Sequence, residues 1–443
     1  MKKTYYLVSL GCAKNSVDSE SMAELLERSG YTSVEKPSKA GMLIVNTCGF
    51  IQQARQESLD VLQELAAGKK PGQYLIAAGC LTERYRERLV QSVPGIDGII
   101  GSRRWMDILE LVEELRQSDQ LPRYHLPDAP TIGRDEKGVL RVAVQGASAY
   151  LKIADGCRRP CAFCSIPLIK GPPVSRPMET IIEEAEYLQT HGIQEINLIA
   201  QDTTDYGTDL GLKDGLAELL ERMLPRIPQI RWVRILYAYP GYVTERLMDV
   251  MTRSSQVVPY LDMPLQHAHP DMLKRMKRPA NMDWVRRTID ELRKRMPDIG
   301  LRSTFITGFP GETDEEFNTL LDFLREIEFD KVGVFPYSFE QGTAAEPLGD
   351  PIPEQVKLDR VKELMLLQES ISLKRNQSLI GKTMDVLVEG EGDGILVGRS
   401  YRDAPEIDGL VIVEGTGEVG KLLKVQITSA LTHDLIGQPT KRI

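Results

Sequence analysis

Six cysteines carry the chemistry that this sequence can perform, and they fall into two sets of three. Cys157, Cys161 and Cys164 lie in the run Gly156-CRRPCAFC-Ser165, a C-x3-C-x2-C spacing. Three thiolates this close can hold three irons of a cubic iron–sulfur cluster and leave the fourth iron open. An open iron is a place for chemistry, whereas a fourth thiolate would leave mainly electron transfer. A zinc site would need a fourth ligand; no further cysteine is near, so a histidine from elsewhere would have to supply it. Arg158, Arg159 and Lys170 flank the loop and are expected to offset cluster charge.

The other three cysteines are far apart in sequence but alike in context. Cys12 ends LVSLGC, Cys48 ends LIVNTC and Cys80 ends LIAAGC. Each follows a short apolar run that reads as a parallel strand, so all three should converge in one crevice at the carboxyl edge of a sheet. Gly11, Gly49 and Gly79 beside them would let backbone pass close to a bound group. Small buried cysteines are common in strands. Three at the same topological position instead predict a second cluster with an open iron.

The elements that must position these residues alternate strand and helix. Strands are expected over 5–9, 42–46, 74–78 and 96–100, with helices over 16–29, 53–67, 83–91 and 105–116. Short apolar runs alternating with helices imply an α/β, doubly wound parallel sheet. Residues 117–138 are rich in Pro, Asp and Gly and read as a linker. A second alternation follows, with strands over 150–154, 195–200, 232–237, 260–263, 301–307 and 331–335. The main helices between them fall over 178–190, 282–296 and 314–327. Six βα units fall short of eight, so a partial (βα)6 barrel is expected, with the Cys157 loop at its mouth. A charged helix over 354–377 leads to short Val/Ile-rich strands over 382–388, 395–399, 410–413 and 421–428, a small antiparallel β-barrel. The expected domains are 1–118, a linker over 119–140, 141–376 and 377–443.

Composition narrows the function. The 443 residues carry 55 Lys/Arg against 64 Asp/Glu, a net charge of −9, so the whole chain is no general polyanion binder. Six cysteines are too few for a secreted disulfide scaffold, and no apolar stretch reaches a membrane span of about 18 residues. The start, Lys2-Lys3 and then YYLVSLGC, reads as a buried strand instead of a lipoprotein signal. A reducing, cytoplasmic setting is expected, where clustered cysteines are metal ligands.

Further candidates converge on the barrel mouth. The run Thr307-GFPGE-Thr313 closes a strand and opens a helix, with Thr313 and Glu316 matching a capping box. Bare backbone at Gly308, Pro310 and Gly311 can pack against an adenine or ribose. Gln201-Asp202 and Gln266-His267 each end a barrel strand and are expected to point into the same mouth.

The run CRRPCAFCSIP after a strand resembles the radical S-adenosylmethionine (SAM) enzymes. With Cys12, Cys48 and Cys80 and a terminal small barrel, the chain resembles the radical SAM methylthiotransferase family over nearly its whole length. That resemblance implies two 4Fe-4S clusters, SAM, an auxiliary cluster in the first domain and a TRAM-type barrel at the end. It implies no catalytic side chains beyond the cluster ligands. Gln201, Asp202, Gln266, Gly308, Pro310 and Gly311 would contact SAM. The runs Arg402-DAPEIDG and PLQHAHPDMLKRMKRP are similar to the branch that methylthiolates the β-carbon of an aspartate in small-subunit ribosomal protein S-twelve, using two SAM. His267, Glu406 and Asp408 would then meet the substrate. An electron donor such as flavodoxin or ferredoxin and a sulfur source would be partners. The alternatives are a tRNA adenosine methylthiotransferase, whose members usually carry Ser-Gly where this chain has His267-Ala268, and a non-catalytic electron carrier or RNA-binding scaffold. Residues 380–443 hold seven Lys/Arg and ten Asp/Glu, a net −3. An acidic barrel suits a basic protein partner better than RNA.

Overall fold

The computed structural model describes residues 2–117, 121–128, 132–133 and 135–440. The first sheet is wholly parallel, in the order Thr32–Ser33, Thr4–Ser9, Met42–Thr47, Tyr74–Gly79, Gly98–Gly101 and Arg123–His125. Its central strands are apolar without alternation because both faces are covered. Met42, Ile44, Ile76 and Ile100 pack with Met22, Leu26, Leu111 and Leu115 from the helices Ala13–Arg28 and Ile108–Gln117. Leu43, Val45, Leu75 and Ile99 face Leu62, Leu65 and Leu89 on the opposite side. The sheet is therefore doubly wound, as the pattern predicts.

Two local expectations need correction. The helix expected over 83–91 is two pieces, Cys80–Tyr85 and Glu87–Ser92, broken at Arg86 with φ 47°. The linker over 119–140 is not structureless. Arg123–His125 pairs with Gly98–Ile100 as the sixth strand of the sheet. Residues 118–120, 129–131 and 134 of that stretch lie outside the described residues.

The central unit has six parallel strands in chain order: Ser148–Lys152, Glu195–Ile199, Trp232–Ile235, Tyr260–Asp262, Gly300–Thr307 and Lys331–Pro336. A single bridge, Val233 to Val257, links the two halves. Val142–Gln145 adds an antiparallel edge. The barrel interior is filled by Tyr150, Ile199, Trp232 and Tyr260. Ala13 and Val17 of the first domain join this packing, as do Leu387 and Ala404 of the last. The partial barrel is thus completed by its neighbours.

The C-terminal unit is a closed five-stranded barrel: Thr383–Gly392, Ile395–Ser400, Val411–Glu414, Leu435–Pro439 and Leu422–Ala430. Leu435–Pro439 is a strand that the sequence pattern missed, and its pairing with Val411–Val413 is parallel. The loop after Ser400 plugs the end of the central barrel where the strands begin. Glu195, the first residue of its strand, is fully buried between Arg234 (2.9 Å) and Arg399 (2.6 Å). Asp330 holds Arg402 and Arg375, Lys331 holds Asp403 at 2.9 Å, and Tyr260 donates to Asp408 at 2.6 Å. This plug seals the end opposite the cysteines.

Burial alone would push the Glu195 carboxyl up, but Arg234 and Arg399 hold it down at about 2, below its ordinary 4.5. A carboxylate with a depressed pKa stabilises the fold fully above pH 4.5 and loses that contribution as pH falls toward about 2. Glu195→Ala removes the carboxylate partner of buried Arg234 and leaves Arg399 with Glu389, and it is expected to cost about 3–5 kcal/mol at neutral pH. Chemical denaturation followed by the fluorescence of buried Trp232 checks this. The gap between parent and variant should narrow between pH 4.5 and 2.

Candidate functional site: two cysteine trios at a domain junction

Cys12, Cys48 and Cys80 all end or follow parallel strands at one edge of the first sheet, as the topology requires. Cys12 is exposed and stands at the N-cap position of the sixteen-residue helix Ala13–Arg28. Cys48 and Cys80 are buried. The Cys48 backbone N–H donates to Ser58 Oγ at 3.0 Å, and the Cys80 thiol lies 3.7 Å from Asn15 Oδ1. Asn15 also donates to the carbonyls of Leu10 (2.9 Å) and Thr47 (3.0 Å), so one side chain ties the three loops together. Gly11, at φ 91°, lets the first loop lie against the second. A Cβ there would sit 2.8 Å from Cys48 Cβ.

The second trio occupies the loop after the first barrel strand. Gly156 turns at φ 82°, and a Cβ on it would lie 2.1 Å from the Pro172 carbonyl oxygen. The Arg159 backbone N–H donates to Cys157 Sγ at 3.4 Å, and Arg278 Nη1 donates to Cys161 Sγ at 3.5 Å. Tyr239 Oη is 3.8 Å from Cys161 Sγ. The guanidinium groups of Arg159 and Arg278 both stack on the Tyr239 ring, 4.5 and 4.2 Å from its centroid. Tyr239 and Asn15 carry no motif, and Arg278 lies in the run PLQHAHPDMLKRMKRP without being singled out there, so sequence reasoning found none of the three.

The two trios face each other. Ser165, next to Cys164, donates to the carbonyl of Phe50, two residues after Cys48, at 3.4 Å. The helix Ile166–Lys170 packs on the helix Cys80–Tyr85. Lys14 Nζ sits 3.1 Å from the ring centroid of Tyr237, at the end of a barrel strand. Between the trios lies a buried ionic knot. Asp18 of the first domain accepts from Arg141 (2.5 Å), Lys152 (2.6 Å) and Lys170 (3.0 Å), all of the central unit. Asp155, two residues before Cys157, shares the same three cations.

Several expected contacts fall elsewhere. Asp408 is not a surface contact. Its side chain is 2% exposed and engages Tyr260 and Arg302 in the plug. Glu406 is exposed, but its carboxylate accepts from Gln145 (2.7 Å) and Tyr150 (3.2 Å) at the same end, opposite the cysteines. His267 is fully buried. Its Nδ1 accepts from the His269 backbone, so Nε2 donates to Glu312 at 3.2 Å. Glu312 in turn accepts from the Gly308 N–H (2.6 Å) and Arg360 (2.6 Å), so His267 and Gly308 build the turn. Both oxygens of Asp202 are engaged, by Arg159 (2.6 Å) and Thr204 (2.6 Å), which positions the cysteine loop. Lys170 turns away from the Cys157 loop and toward Asp18.

The remaining candidates keep free valence. Gln201 donates to Asp155 at 3.3 Å, while its Oε1 and that of Gln266 are buried without a hydrogen-bond partner among the described residues. Gln266 holds a left-handed φ of 76°, the kind of strain that collects at binding sites. Pro310 and Gly311 line a cavity of about 480 Å³ with Ala162, between Cys161 and Cys164. The capping box at Thr313 and Glu316 forms as expected.

The donor sets fit a polynuclear group. Burial pushes Cys48 and Cys157 up to about 11 and Cys80 and Cys164 up to about 12, so these sulfurs ionise only against a bound cation. A single tetrahedral ion with metal–sulfur bonds of about 2.3 Å would draw its sulfurs to within about 4 Å of one another. Among the described residues only Asp107, Glu110 and His125 have ligand atoms all within 4.8 Å. Neither trio is drawn together for one such ion, and the six cysteines leave neither a fourth thiolate.

Comparison with known proteins places the whole chain. Residues 4–101 match the model of Uncharacterized protein family UPF0004, 151–324 the Radical SAM superfamily and 380–439 the TRAM domain. The ribosomal protein uS12 methylthiotransferase RimO of Roseiflexus sp. is 48% identical over 98% of this chain and 96% of its own. That of Chloroflexus aurantiacus is 47% identical over 98% and 99%. Among solved structures, the radical SAM methyltransferase TsrM of Kitasatospora setae superposes with a TM-score of 0.57 at 14% identity, covering 78% of this chain and 77% of that one. The cobalamin-dependent radical SAM enzyme OxsB superposes at 0.54 and 12%, covering 83% and 57%. These two likenesses concern the fold alone. With two cysteine trios meeting at a barrel mouth and relatives of this identity along its length, the chain belongs to the RimO family of radical SAM methylthiotransferases.

Proposed function

We propose that this chain replaces a β-carbon hydrogen of an aspartate in ribosomal protein uS12 with a methylthio group, using two 4Fe-4S clusters and two SAM. The observation that supports this reading is the contact of the two cysteine-bearing loops, where Ser165 donates to the Phe50 carbonyl at 3.4 Å. When bound, the clusters and SAM supply one-electron cleavage of a sulfonium, the removal of an unactivated hydrogen and the transferred sulfur and methyl.

The chain's own residues bind, orient and exclude water. Cys157, Cys161 and Cys164 would hold the SAM-side cluster, and Cys12, Cys48 and Cys80 the auxiliary one. Gln201 and Gln266 present acceptor oxygens to the ammonium or ribose hydroxyls of SAM. Pro310 and Gly311 offer a flat wall for its apolar part. Arg159 and Arg278 lower the cost of negative charge at Cys157 and Cys161. Flavodoxin or ferredoxin would deliver electrons, and a separate source would supply sulfur. Exposed Glu391, Asp393, Glu414 and Glu418 add negative charge to the surface of the terminal barrel, which suits a basic ribosomal protein.

Replacing Cys12, Cys48 and Cys80 with Ala is expected to retain SAM cleavage and abolish sulfur insertion. Mass spectrometry of uS12 after reaction reads the outcome as a methylthio gain on one aspartate. A modified adenosine in tRNA would instead reassign the substrate. Gly156→Ala should lose the iron of the barrel site and Gly11→Ala that of the first domain. Iron and sulfide counts per chain after anaerobic reconstitution measure both.

A further inference from the structure

Lys170 is a buried cation whose placement the SAM-side cluster does not explain. It ends the helix Ile166–Lys170, which begins two residues after Cys164. That helix packs against the helix Cys80–Tyr85, whose first residue is Cys80. The Lys170 side chain is 2% exposed, donates to Asp18 Oδ2 at 3.0 Å and lies 3.7 Å from Asp155 Oδ1. Lys152 and Arg141 satisfy the same two carboxylates. Three basic side chains share the two carboxylates. Burial draws the Lys152 pKa below its ordinary value, whereas for Lys170 the charges of Asp155 and Asp18 outweigh burial and draw it up. Arg176, with its partners Glu184 and Asp135, borders the knot from the Lys152 side, and Glu83 with Arg103 from the first domain. Lys170 is the knot's member on the Cys80 side. A buried cation beside an anionic group stabilises each added negative charge, because the local dielectric is low.

We propose that Lys170, carried on the barrel's own cysteine loop, is a positioning residue for the cluster at Cys12, Cys48 and Cys80, whose reduced state it stabilises only when the two domains are docked. The inference rests on the auxiliary cluster proposed above. It adds a direction to the assembly: the loop that holds one cluster sets the redox poise of the other.

The experiment uses full-length protein with Cys157, Cys161 and Cys164 replaced by Ala, so that only the first-domain cluster forms. Its reduction potential is read by EPR-monitored titration after anaerobic reconstitution. Lys170→Gln removes the charge but keeps a donor for Asp18. Lys170→Met removes both, and Lys170→Arg keeps the charge. The neutral variants should retain iron and lower the equilibrium constant for reduction at least tenfold, which is about 59 mV for one electron. Lys170→Arg should stay near the parent. An unchanged potential in iron-loaded Lys170→Gln would overturn the proposal, as would an equal drop in Lys170→Arg. Should Lys170→Met fail to fold, Lys170→Gln decides. A parent protein that binds no iron would remove the auxiliary cluster itself, and the two failures are thereby distinguished.

Discussion

Asp18 is the carboxylate on which the arrangement turns. It belongs to the first domain, yet its partners Arg141, Lys152 and Lys170 all belong to the central unit. Burying such charges is costly unless every one is paired, and pairing here requires both domains in place. The same helix, Ala13–Arg28, carries Cys12 at its start and pushes Ala13 and Val17 into the barrel interior. Docking, closure of the barrel and the alignment of the cysteine trios are therefore one event. An undocked first domain would expose Asp18 to water and leave Arg141, Lys152 and Lys170 to share Asp155.

A second ionic lock works at the opposite end. The run from Ser400 to Asp408 fills the open bottom of the barrel, with Glu195 and Asp330 as its anchors. With aromatic side chains filling the interior and the plug beneath, ligands can reach the strands only at their carboxyl ends, where the cysteines lie. Barrel active sites lie at that end in general. Six strands suffice because neighbouring domains cover what two more strands would have covered.

The cysteine trios were legible because spacing and strand context are local signals. So were both faces of the first sheet, since unbroken apolar runs such as Met42–Val45 require two cores. The knot was hidden because its members come from 18, 141, 152, 155 and 170 and only folding unites them. One trace existed: Lys152 interrupts the apolar strand Ser148–Lys152, and a lysine in a buried strand needs a partner. Asp408 reads as a surface residue because an acid in a loop looks solvated until its cation is found, whereas Glu406 of the same run is exposed. His267 misled for the same reason, since its partner Glu312 is forty-five residues away. The strand Leu435–Pro439 escaped because its Gly and Pro content reads as a turn.

The central claim is that two clusters, each caged by three cysteines, face each other across the junction that Asp18 holds together. EPR of the anaerobically reconstituted, fully reduced protein tests it most directly. The account predicts two paramagnetic clusters whose signals broaden each other, collapsing to one simple signal when either trio is replaced by Ala. A single cluster in the intact chain, or two whose spectra add with no mutual coupling, would contradict it.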